Sequence, residues 1–242
     1  MRRISASLLL LLAAAAVVWA QTPIDTAEHA SAGGDYRQAV QSYEQVLAQH
    51  GYSAPVLFNL GNAWLREGKP APAILAYERA LVLAPGNPAI EANLAAAQQR
   101  AGVTDAMAGP WLAAARYFSF DTYAWAALVA IWVLCGAIVL LCLNGAARRF
   151  ARPVIVLAAV TLCASADAAV LCWSDLYRAV VQEPTTLHLA PAASAAVSGT
   201  LQEGEVVWIQ GRYGGFNLVR TAEGHMGWVA TSAAVPVRVA HL

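Results

Sequence analysis

The chain has 242 residues, 59% of them hydrophobic and only 12% charged, with 15 basic side chains against 15 acidic ones. The charged share is about half the ~25% usual for soluble domains, which argues against a bulk-soluble enzyme. The zero net charge excludes a broad basic field of the kind that recruits nucleic acid.

The amino terminus has a charged start at Arg2 and Arg3, an apolar run from Leu8 to Val18, and small residues at Val18 and Ala20 before Gln21. This is the pattern of a secretory signal peptide over residues 1–20. An uncleaved anchor helix is the alternative, for which the run is short. On either reading the chain beyond residue 20 is exported.

Residues 21–102 contain an internal repeat. Gly34 and Gly68, Ala39 and Ala73, Tyr43 and Tyr77, and Leu47 and Leu81 are each 34 residues apart. A 34-residue period of helix–turn–helix units is the tetratricopeptide signature, and it predicts an all-α helical array. The repeats fall near 20–53 and 54–87, and the segment 88–101 resembles a lone first helix that caps the array. In the second copy Leu57, Leu60 and Trp64 share one helical face, Gly61 and Ala73 are small where paired helices cross, and Pro85 stops the second helix. Two repeats and a cap fall short of the three usually needed for stability, so the array needs support from a membrane, a partner or its own chain. By the tetratricopeptide resemblance, Phe58, Asn59, Asn62, Leu65 and Arg66 map to the concave groove and are the candidate partner-binding residues. The basic residues of a carboxylate clamp are replaced by Ile24, Glu28 and Ala89, so capture of a free carboxyl terminus is not expected.

Residues 103–123 form an aromatic, amphipathic linker with Trp111, Tyr117, Phe118 and Phe120. It reads equally as an interfacial helix or as an extension of the helix that follows. Residues 124–143 carry no charge and are long enough to cross a ~30 Å hydrocarbon core. Residues 153–173 are as long and mostly apolar, but contain Asp167. Together they predict a two-helix transmembrane hairpin. The short segment 144–152 between them holds Arg148, Arg149 and Arg152, which by the positive-inside rule mark the cytoplasmic side. Both flanking segments are then extracytoplasmic. Cys135, Cys142, Cys163 and Cys172 all lie within the apolar runs and read as small apolar residues. Asp167 is an intramembrane carboxylate and therefore a pairing position by default. Its expected contact is a partner's membrane helix or a polar group of the first span, against the plainer reading of an Asp tolerated near the outer interface.

Residues 182–240 change character. Short β-rich runs are punctuated by Gly204, Gly211, Gly214, Gly215, Gly224 and Gly227, which predicts a small all-β barrel or sandwich. Pro191 before a small-residue run, Gly199-Thr200-Leu201, Gly204 with its following strand, and Gly227-Trp228-Val229 resemble a bacterial SH3-like domain. The segment Leu187-His188-Leu189 departs from the opening strand of such domains, so binding roles tied to an arginine there do not transfer. Trp228 is expected in the core, with Tyr213 and Phe216 as the candidate ligand surface.

No histidine pairs with a cysteine or acid at metal-ligand spacing, and no phosphate loop or nucleophile elbow occurs, so neither enzyme activity nor a cofactor is expected. The order of parts resembles the BatE-like proteins of the Bacteroides-type aerotolerance operon, and "FSFDTYAWAAL" is similar to their approach to the first span. The resemblance implies a non-enzymatic adaptor of the bacterial inner membrane. Its implied companions are von Willebrand A-domain proteins and a MoxR-class ATPase. The alternative is an envelope sensor whose SH3-like domain recognises peptidoglycan or wall peptide.

Overall fold

The computed structural model describes residues 23–103, 120–143 and 148–238. The signal peptide, most of the aromatic linker and residues 144–147 of the basic loop lie outside the described residues.

Five helices form an antiparallel array: α1 (Pro23–Ala32), α2 (Tyr36–His50), α3 (Ala54–Glu67), α4 (Pro70–Leu83) and α5 (Pro88–Ala101). Their ends follow from local chemistry. Asp35 caps α2 by accepting from the Gln38 N–H at 3.1 Å, and Asn87 caps α5 by accepting from the Ala89 N–H at 3.0 Å. Prolines open α3, α4 and α5 in the first turn, where a missing N–H costs nothing. Gly61 shows why the repeat needs a glycine there. A Cβ at this position would lie 2.5 Å from the Tyr77 ring, so helices α3 and α4 could not approach as they do.

The carboxyl-terminal part is one seven-stranded antiparallel sheet: β1 (Arg178–Val181), β2 (Thr185–His188), β3 (Val197–Leu201), β4 (Val206–Tyr213), β5 (Phe216–Arg220), β6 (Met226–Ala230) and β7 (Ala234–Pro236). Its order is β3-β2-β6-β5-β4-β1-β7. The β4–β5 hairpin turns through Gly214 and Gly215, both at positive φ, as a two-residue turn matched to strand twist requires. The sheet begins at Arg178, ahead of the boundary expected at 182, because β1 pairs with both β4 and β7.

All four residues of β1 are buried, since each of its faces meets a different core. Ala179 and Val181 join Leu187, Leu201, Val207 and Val219 on the inner face of the sheet. Val180 points the other way, into the helical core of Leu57, Ile74, Tyr77, Ile90 and Leu94, where Val237 joins it. The sheet thus closes the end of the repeat array. The support that two repeats and a cap require comes from the same chain. Gly204 marks the contact from the sheet side: its φ is +83°, and a Cβ there would lie 2.8 Å from the Ile74 side chain and 3.0 Å from Ala101.

Two further helices, α6 (Phe120–Leu143) and α7 (Arg148–Asp175), pack against each other as a hairpin. Each contains a stretch, of 21 and 20 residues, long and apolar enough to cross a membrane. Only 11% and 17% of those stretches are buried, unlike the core helices of a soluble domain. The hairpin seam is built from small residues, with Ala130 and Ala137 on α6 against Ala151, Ala158, Ser165 and Ala168 on α7. The basic segment differs from expectation. Arg148, Arg149 and Arg152 belong to α7 itself, not to a loop. Arg and Ala propagate helix well, and Pro153 removes only the single bond back to the carbonyl of Arg149.

Candidate functional site: the repeat groove and the docked sheet

The groove is organised by tyrosines from the second helix of each repeat. Tyr77, fully buried, donates from its hydroxyl to Asn62 Oδ1 at 2.8 Å, and Asn93 Nδ2 donates to the same oxygen at 2.7 Å. Burial pushes the Tyr77 hydroxyl up to about 12, opposed by Asn93, Arg100 and Arg66. In the first repeat, burial raises Tyr43, Glu28 adds to it, and a hydrogen bond from Asn59 works against it. The relation repeats: Tyr43 and Asn59 are 16 residues apart, and so are Tyr77 and Asn93. The Tyr–Asn spacing therefore recurs at the repeat period, and in the second repeat it is closed by hydrogen bonds through Asn62.

The five groove residues are not equivalent. Asn62 is held through its side-chain oxygen, which accepts from both Tyr77 and Asn93, and both Asn59 and Asn62 are half-buried. Phe58 lies against Tyr77, with ring centroids 6.0 Å apart and planes at 53°. Leu65 packs at the edge of the helical core, and its carbonyl accepts from Arg100 Nη1 at 3.1 Å. Arg66 is exposed. The sequence reading missed Asn93 and Arg100 on the capping helix. The signal for Asn93 was present, since it follows Asn59 by one 34-residue period.

A separate open cleft of about 350 Å³ lies between α2 and the α3–α4 turn. Its charges satisfy one another. Glu67 sits 3.1 Å from Lys69 and 3.6 Å from Arg37, and Lys69 lies 4.8 Å over the Trp64 ring. Burial raises the Glu44 carboxyl, with Glu67 adding to the shift. This is a solvated ion-pair network at the back of the first repeat, away from the groove positions.

Three consecutive residues of α4 divide the work. Tyr77 points into the groove network, while Glu78 and Arg79 reach the sheet. Glu78 Oε1 accepts from Arg178 Nη2 at 2.6 Å, with both side chains about 95% buried. Arg178 also lies 3.7 Å from Asp175, the last residue of α7. Arg79 donates to the carbonyls of Pro236 and Val237 at 3.1 and 3.2 Å and stands 5.8 Å over the Tyr52 ring. One arginine, Arg178, thus meets the array, the sheet and the end of the second apolar helix.

On the sheet, Tyr213 is 68% exposed and faces Phe216 across the hairpin, and Phe216 is half-buried. Trp228 is half-buried and paired with Leu218 and His188, so it is not the core residue expected. The buried tryptophan is Trp208, at 2% exposure, on the strand position opposite Arg178. His188 ties β2 to the next loop, with Nδ1 at 3.0 Å from the Ala195 carbonyl and Nε2 at 3.0 Å from the Thr186 hydroxyl. Among the described residues no group of histidine, cysteine and acidic side chains is placed to hold a metal ion.

Asp167 is exposed on the side of α7 away from α6, so the first span does not supply its contact.

Residues 24–88 match the tetratricopeptide repeat family model. The match covers α1 to α4 and ends where α5 begins. No curated protein matches the chain.

Proposed function

We propose that this chain is a non-enzymatic, membrane-anchored scaffold of the bacterial cell envelope. In this reading the repeat groove binds an extended segment of a partner protein, and the α6–α7 hairpin holds the assembly at the inner membrane. The observation that carries it is the Tyr77–Asn62–Asn93 network, which holds Asn62 among the residues that the tetratricopeptide resemblance assigns to the groove. Tetratricopeptide repeats generally act by binding proteins, which agrees with that geometry.

The topology is supported by the docking. The array precedes the hairpin, the sheet follows it, and the two share a core. Both must therefore lie on one side of any bilayer that α6 and α7 cross. The arginines at the start of α7 assign that side as extracytoplasmic by the positive-inside rule. The carboxyl-terminal sheet then serves as an SH3-like barrel in the periplasm. By the BatE-like resemblance, the partners are von Willebrand A-domain membrane proteins and a MoxR-class ATPase complex.

A second reading is favoured by a specific contact. Arg178 joins the end of α7 to helix α4, so strain at the sheet has a direct path to both groove and membrane. As a sensor, the sheet would take peptidoglycan or wall peptide at Tyr213 and Phe216 and pass occupancy along this path.

Copurification of the full chain from mild detergent tests the scaffold. Asn59→Ala with Asn62→Ala should remove the same partners that the unaltered chain retains. Identical partner sets would sink the groove reading. Partner loss on Tyr213→Ala alone, with binding of the full chain to isolated peptidoglycan, would favour the sensor.

A further inference from the structure

We propose that the outward face of α7 is a docking surface for a membrane-spanning helix of another protein, one that carries a single basic side chain at the depth of Asp167. The inference rests on reading α6 and α7 as a membrane hairpin.

The stripe of α7 that packs on α6 is Ala151, Ala158, Ser165 and Ala168. At 3.6 residues per turn, Asp167 stands about 200° round from Ser165, opposite the seam. Val156, Val160, Cys163 and Val170 share its side and are all exposed. This is a continuous apolar face interrupted by one carboxylate. Asp167 falls within the apolar stretch Ala151–Val170, three residues (about 4.5 Å along the axis) from its outer end.

Among the described residues, the hairpin offers Asp167 no counter-charge. Arg152, the nearest basic residue towards the start of α7, is 15 residues away, or about 22 Å. Arg178, beyond the other end, is committed to Glu78 and Asp175. The nearby hydroxyls are also occupied: Ser165 donates to the Thr161 carbonyl and Thr161 to that of Leu157. Helix α6 contains no Lys, Arg or His.

The same facts select the occupant. A second copy docked on this face would set one Asp167 against another and bring no cation at that depth. A partner helix with one Lys, Arg or His there is complementary in charge. Ala166, exposed beside the carboxylate, lets such a helix approach closely.

The test uses the full chain reconstituted in phosphatidylcholine vesicles. The probe is a synthetic Leu-Ala spanning helix with a dansyl group and one lysine at the matching depth. Energy transfer from the chain's tryptophans to dansyl reports association. Association with the lysine helix should exceed that with its lysine-to-leucine control by roughly tenfold, and Asp167→Leu should erase the difference. Equal association of the two probe helices would overturn the proposal. Self-association of the chain that vanishes in Asp167→Leu would also overturn it, in favour of a second copy. Carbonate extraction of the same vesicles separates the premise from the inference. A chain that washes off refutes the membrane reading itself, whereas an inserted chain indifferent to lysine refutes only the docking face.

Discussion

Removing the Arg178 guanidinium strikes a contact that joins array, sheet and hairpin. Arg178→Met takes the cation from a carboxylate 2.6 Å away whose side chain is 5% exposed. Breaking a buried pair by deleting one partner costs about 3–5 kcal/mol. Glu78→Gln is milder, because Arg178 keeps Asp175 at 3.7 Å and glutamine keeps an acceptor. Its expected cost is about 1.5–3 kcal/mol, the worth of a hydrogen bond to a charged group. The double variant Glu78→Leu/Arg178→Met replaces the pair by apolar volume and should recover most of the loss. Hydrogen exchange of the full chain in detergent reads this locally. The Val237 amide, which donates to the Arg178 carbonyl at 2.9 Å, reports the β1–β7 edge whose Val180 and Val237 side chains pack into the helical core. In Arg178→Met its protection should fall by roughly two to four orders of magnitude, since ~1.4 kcal/mol is tenfold. Amides in the middle of α2 should change little. Unchanged protection at β1 and β7, or a double variant as damaged as Arg178→Met, would refute the claim that this pair holds the sheet to the array.

Three further outcomes follow from named contacts. Gly61→Ala forces a methyl group into the Tyr77 ring and should lower stability by about 1–3 kcal/mol, read by thermal melting of the helical signal. Tyr77 has its hydroxyl raised from 10.0 to about 12, so the fold favours the neutral phenol; that stability is intact below pH 10 and is lost as pH rises towards 12. Tyr77→Phe should therefore be less stable by about 1 kcal/mol at neutral pH, having lost its bond to Asn62, yet lose less on titration from pH 10 to 12. The flattening should be partial, because Tyr43 is raised as well. Asn217 is 1% exposed, and neither of its amide atoms has a hydrogen-bond partner among the described residues, so Asn217→Leu should raise the unfolding midpoint by an amount worth about 1 kcal/mol or more.

Much of the architecture was legible because it is periodic. The 34-residue spacing of Tyr43 and Tyr77 identified the array, and the two charge-poor runs identified the hairpin. The β-rich character of the last third is equally local. What escaped the sequence depends on contacts across long stretches of chain. Glu78 and Arg178 are 100 residues apart, and neither carries a local sign that it will be buried. "RAVV" is too short to stand out as a strand, and both its faces are apolar only because a helical core covers one of them. The exchange of roles between Trp208 and Trp228 has the same origin. In "EVVWIQ" the alternation sends Val207 and Ile209 to the inner face, and Trp208 would be solvent-facing without the cover on β1's side. The uninterrupted apolar run from Val206 to Ile209 was the available hint. In the groove, the asparagines were found from the repeat register, but the hydroxyl and amide that hold them needed the fold.

The central claim is that array and sheet form one docked body on the outer side of the membrane, tethered by the hairpin. Labelling with a membrane-impermeant thiol reagent tests it, with single cysteines placed in a cysteine-free background in intact spheroplasts. Cysteines at Gln45 in the array and Ala193 in the sheet should both react, while one at Ala147 should react only after detergent is added. Reaction at Ala147 with protection of the other two would invert the topology. Reaction at only one of Gln45 and Ala193 would put array and sheet on opposite sides and contradict the docked body outright.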